Sequence, residues 1–131
     1  MSREIHRDQI GVIRHDEGGH ALELEWLEGT AKASDANIKE WLLKFVAEVE
    51  KAKAKNILVD LNHFRFEWTA EFDGWWKQNI FSRYVRAGVE RFAFVWPAGR
   101  TPASTSGPDE GYAMRNFDSL EAARAWFNAG S

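Results

Sequence analysis

The chain has no cysteine, which removes disulfide staples, thiolate metal sites and cysteine nucleophiles together. That absence also fits a reducing, cytoplasmic setting. No apolar run exceeds a few residues, so no transmembrane segment is expected, and Met1-Ser2-Arg3-Glu4-Ile5-His6 lacks the apolar stretch of a secretory signal. An excess of positive charge is missing too. Residues 1–61 carry nine Lys/Arg against twelve Asp/Glu, and residues 62–131 carry eight against eight, for a net charge of −3. Nucleic-acid binding needs a clustered basic surface to displace counterions, so a nucleic-acid partner is not expected. What the chain does have is tryptophan: seven in 131 residues, well above the low share it has in average usage.

The pattern along the chain reads as one α/β domain. Gln9 to His15 suggests a strand, Asp16-Glu17-Gly18-Gly19 a tight turn, and His20 to Leu27 a second strand. In that second strand Leu22, Leu24 and Trp26 occupy one face while Glu23 and Glu25 face water. Gly29 ends the hairpin, and Ser34 or Asp35 is an N-cap. Ile38, Trp41, Leu42, Phe45, Val46 and Val49 then recur with helical spacing, opposite Lys39, Lys44, Glu48, Lys51 and Lys53. Asn56 to Leu61 is a continuous apolar run, as in a central strand covered on both faces. Thr69 opens a helix in which Phe72, Trp75, Trp76, Asn79 and Ile80 share a face, and Gly88 closes it. Arg91 to Trp96 is a buried strand ended by Pro97. Residues 97–111, with all three prolines, read as a long loop. Tyr112 to Phe117 is a short strand, and Asp118-Ser119-Leu120-Glu121 fits a capping box opening a last helix through Phe127. The order β-β-α-β-α-β-β-α predicts a mixed, mostly parallel sheet with an opening β-hairpin and packed helices.

Three stretches carry a family resemblance: Ile57-Leu58-Val59-Asp60-Leu61, Gly88-Val89-Glu90-Arg91-Phe92-Ala93-Phe94-Val95, and Phe117-Asp118-Ser119-Leu120-Glu121-Ala122-Ala123-Arg124-Ala125-Trp126-Phe127. Their order and spacing resemble the SpoIIAA-like branch of the STAS (anti-sigma-factor antagonist) superfamily, some members of which also resemble CRAL-TRIO lipid-binding domains. The resemblance implies a single SpoIIAA-like domain over residues 1–131, acting as a non-enzymatic regulatory module with a protein partner. Antagonists of that family carry a phosphorylatable serine in an Asp-Ser-Ser/Thr-Gly-Leu segment before the helix. Here the segment reads Phe66-Glu67-Trp68-Thr69-Ala70-Glu71, so Thr69 is the only hydroxyl near that place. A phosphate there would sit on a helix N-terminus, which favours anions; as an unmodified residue, Thr69 is an ordinary N-cap.

Eight aromatics fall between Phe64 and Tyr84. Two readings stand side by side: all are core, or some of Phe66, Trp68, Trp75 and Trp76 line a pocket for an apolar small molecule or lipid, or a docking patch. A Trp-rich surface also suits a homodimer. Asp60 ends a buried strand, where α/β sheets gather ligands, so Asp60, His63 and Glu67 could form a polar site; the plainer reading is that Asp60 caps the following turn and His63 is solvated. His15, Asp16, Glu17 and His20 flank a turn without any established metal spacing. Pro97-Ala98-Gly99-Arg100-Thr101 lacks both phosphate-loop patterns, and no nucleophile–base motif occurs, so no cofactor and no enzymatic activity are expected.

Overall fold

The computed structural model describes residues 2–16, 18, 20–97 and 113–129. Six strands form one sheet in sequential order: β1 (Ser2–Arg7), β2 (Gly11–Asp16), β3 (Ala21–Trp26), β4 (Asn56–Asp60), β5 (Arg91–Val95) and β6 (Ala113–Phe117). The first three are antiparallel and β3 through β6 are parallel, so the sheet is mixed. The expected opening hairpin is β2–β3, and β1 extends it to a three-stranded meander. Its first strand carries little sequence signal because Arg3, Glu4, Ile5 and Arg7 lie exposed on a sheet edge. The register slips between Glu4 and His6, and charge and a bulge both blunt an edge against further pairing.

Helix α1 (Asp35–Ala52) crosses from β3 to β4. Ser34 is its N-cap: the Asn37 amide donates to the Ser34 hydroxyl, and the Asn37 side chain accepts from the Ser34 amide. Its buried positions are Ile38, Trp41, Leu42, Phe45, Val46 and Val49, the six that the periodicity marks. A second helical segment runs from β4 to β5: α2 (Ala70–Trp76), a π turn (Lys77–Phe81) and α3 (Ser82–Ala87). Right-handed crossovers between strands that advance in one direction put both helical segments on the same face. There they bury Leu22, Leu24, Trp26, Ile57, Val59 and Phe92. The last helix, α4 (Leu120–Ala129), packs on the opposite face, where Ala123 and Phe127 meet Ala21, Leu58, Ala93 and Val95. Every residue of β4 is buried, as expected of a strand covered on both sides.

Three local expectations are corrected. Glu23 does not face water: α4 covers it, it is 2% exposed, and Arg124 grips it with two hydrogen bonds of 2.9 and 2.8 Å. Asn79 leaves the apolar face of its helix because the π turn intervenes. Eight residues past Phe72 a regular helix would have turned about 80° away. The extra residue of the π turn brings Ile80 and Tyr84 back to the buried side, while exposed Asn79 donates to the Trp75 carbonyl at 2.9 Å. At α4 the capping hydroxyl is Ser119, accepting from the Ala122 amide, one residue later than the Asp118 frame. Residues 98–112, and with them most of the expected loop and Tyr112, lie outside the described residues, as do Glu17 and Gly19.

Candidate functional site

The segment from Leu61 to Thr69 joins β4 to α2, and one buried hydroxyl holds it in place. Thr30 is 1% exposed; its Oγ1 donates to the Leu27 carbonyl at 2.9 Å and accepts the Arg65 amide at 2.8 Å. Thr30 sits in a short 3-10 helix, Glu28–Lys32. This helix needs Gly29, because a Cβ there would run into the Gln9 carbonyl. Thr69 then caps α2, accepting from the Phe72 amide at 3.1 Å. Trp68 donates its indole N–H to Asp73 at 2.9 Å, and Lys77 pairs with the same carboxylate at 3.0 Å. The indole bond, ahead of Lys77, holds the Asp73 carboxyl below its usual range.

Thus tethered, the segment stands off from the sheet and leaves a half-enclosed cavity of about 550 Å³. The cavity lies at the carboxyl ends of β3, β4 and β5, where open α/β sheets bind ligands. Its volume is within the range of roughly 300–1,000 Å³ typical of small-molecule sites. Leu24, Trp26, Val59, Leu42, Tyr84 and Phe92 form a floor no more than 6% exposed. Phe64, Arg65, Phe66 and Trp68 come from the tethered segment, and Trp76, Phe94, Trp96 and Pro97 complete the wall. The rings touch in sequence around it: Trp26 to Phe64 at 5.3 Å, Phe64 to Trp68 at 6.3 Å, Trp68 to Trp76 at 6.1 Å, Trp76 to Phe92 at 6.3 Å and Phe92 to Phe94 at 4.7 Å.

The sequence-derived candidates divide around this cavity. Phe66, Trp68 and Trp76 line it, and none is sealed in the core; Trp68 is 37% exposed. Trp75 does not line it: the indole packs on Phe72 at 5.6 Å with the Lys39 ammonium 5.0 Å from its ring. Thr69 is exposed at the helix start, outside the lining. Asp60 is buried and closes the turn after β4, accepting from the Asn62 amide at 3.0 Å and its side chain at 2.7 Å. His63 and Glu67 are exposed. Among the described residues, no three His, Asp or Glu side chains are grouped so as to hold a metal ion.

Besides Asp73, two polar groups of the lining were not singled out by the sequence. Tyr84, 2% exposed, brings a hydroxyl-bearing ring to the lining. Burial pushes that hydroxyl well above the usual phenol range, so it stays a neutral donor. Arg65 sits at the exposed rim; its guanidinium reaches only the Asn62 and Phe64 carbonyls, each at 3.4 Å, and no carboxylate pairs with it among the described residues. Comparison of the chain with family models, curated proteins and solved structures found no match. No helix among the described residues is long and apolar enough to cross a membrane.

Proposed function

We propose that this domain binds an apolar, ring-containing small molecule in the cavity beneath residues 61–69. One observation carries the reading: nine of the sixteen lining residues are aromatic, around an opening that reaches the hydrophobic floor of the sheet. Apolar walls with a few placed polar groups are the usual composition of a small-molecule site. Aromatic walls favour flat partners through offset and edge-to-face contacts. The direct test is titration of the intrinsic tryptophan fluorescence with the neutral probe N-phenyl-1-naphthylamine, alongside native mass spectrometry of the gently purified protein. Saturable quenching at one site, or a co-purified apolar adduct, is expected. A flat titration with no adduct rejects the reading.

A second reading, a protein-binding regulatory module of the kind the STAS resemblance implies, draws support from exposed Trp68 beside exposed Thr69. On that reading native mass spectra show protein complexes in place of small-molecule adducts.

A further inference from the structure

The small-molecule reading leaves open what chemistry the ligand carries at its exposed end. We infer that the ligand bears an anionic group, held at the mouth of the cavity by Arg65. The inference rests on the cavity being a binding site and adds the sign of the ligand's charge.

The geometry at the mouth supports it. Arg65 is the cationic member of the lining, and its backbone is fixed by Thr30, so the root of its side chain does not wander. Its guanidinium has only two long carbonyl contacts of 3.4 Å, which leaves most of its five donors unused. The neighbouring acid cannot serve it in the same way. Asp73, the acidic member of the lining, is already engaged by the Trp68 indole at 2.9 Å and Lys77 at 3.0 Å. Its charge is thereby offset before a ligand arrives. Four other arginines are paired with carboxylates: Arg7 with Glu4, Arg14 with Glu25, Arg83 with Glu50 and Arg124 with Glu23. Arg65 sits instead over an apolar hole.

A planar guanidinium matches carboxylate, sulfonate or phosphate oxygens through paired N–H donors. An aromatic floor with one cation at its rim therefore suits a flat ring system ending in an anion. The buried Tyr84 hydroxyl offers such a ligand a second hydrogen bond at depth.

The test compares two probes that share one ring skeleton, 8-anilinonaphthalene-1-sulfonate and neutral N-phenyl-1-naphthylamine, on the intact chain. A charge-assisted bond at an exposed rim predicts that the sulfonate binds about tenfold more tightly. Arg65→Gln brings the ratio of the two affinities to about one, Arg65→Lys keeps part of the preference, and added salt narrows it in the parent protein. Equal affinity for both probes in the parent, or an unchanged ratio in Arg65→Gln, overturns the charge inference while leaving the cavity reading intact. Failure of both probes to bind removes the cavity reading and this inference with it.

Discussion

Tyr84→Phe is expected to stabilise the unliganded protein, an unusual direction for a substitution at a core position. Tyr84 is 2% exposed, and its ring touches Phe45 at 6.3 Å, Phe92 at 5.4 Å and Trp76 at 6.5 Å. Phenylalanine keeps all three contacts and deletes only the hydroxyl. Burial strips the hydroxyl of water, which costs about 1–3 kcal/mol wherever no partner replaces it. Because the cavity is half-enclosed, water reaches part of it, so the lower end of that range applies, about 1 kcal/mol. For a domain of this length, 1 kcal/mol corresponds to about 3–4 °C in Tm. Thermal unfolding followed by circular dichroism, with the guanidinium midpoint as a second measure, should therefore show a rise. The same variant should bind acceptor-bearing ring ligands more weakly than the parent does. Opposite signs for stability and binding are what a functional hydroxyl produces, since a site held ready for a ligand is strained without it. A fall in Tm of about 2 °C or more would mean that the hydroxyl has a partner inside the fold, and the reasoning about an open donor would be refuted.

Three other outcomes follow from named contacts. Arg124→Met strands the buried Glu23 carboxylate; with the Arg124 side chain 41% exposed, the cost is about 2–3 kcal/mol and the drop in Tm about 7–10 °C. Adding Glu23→Leu should recover most of that loss, and a double variant no better than the single one would deny that a stranded charge is the cause. Thr30→Val removes the acceptor for the Arg65 amide and should cost about 1–2 kcal/mol while weakening probe binding, because the tether of residues 61–69 is gone; unchanged binding would separate the tether from the site. Acid should release Trp68. The Asp73 carboxyl lies below its reference value of 3.8 when folded, so its contribution is present above that pH and lost as pH falls through the folded value. Intrinsic emission should show a step below pH 3.8 that is missing from Trp68→Phe, and identical titrations of the two proteins would rule the Trp68–Asp73 bond out as its source.

Local pattern carried the framework because the signals involved are local. In α1, six apolar residues at helical spacing are the six buried ones, and nothing distant was needed to place them. The β4 run, the Thr69 cap and the Gly88 stop, at φ 89°, follow from residue types in the same way. Two of the misreadings arose because the deciding partner was remote or the residues lay on an edge. Glu23 looks solvated until Arg124, 101 residues later, is laid over it. Strand β1 has too few apolar side chains to announce itself because an edge strand faces water. The aromatic segment after β4 pointed toward the cavity, yet half its wall was invisible. Trp26, Phe92, Phe94 and Trp96 read as ordinary strand residues. That they enclose a space depends on how far residues 61–69 stand off the sheet, which no periodicity records. Trp75 marks the converse: its helical spacing resembles that of Trp76, but Lys39 and Phe72 claim it.

The energetics of the hole rule out a sealed void. If 550 Å³ were a sealed void, the cost measured for cavities in protein cores, about 24 cal/mol per Å³, would come to about 13 kcal/mol. That equals the entire stability of an ordinary domain, so a sealed void of this size would not survive. The opening resolves the conflict by admitting water. Water in such a space is poorly held, because an ordered molecule wants two to four polar partners and the walls here are chiefly Trp and Phe rings. A flat apolar solute that displaces it gives up few hydrogen bonds and gains ring contacts on several sides. The fold could have closed the hole by letting the segment after β4 collapse onto Phe92 and Phe94. It holds that segment open instead, through Thr30 at one end and the Thr69 cap and Trp68–Asp73 bond at the other. Polar anchors at both ends of an aromatic-lined gap fit the proposal that a ligand sits there.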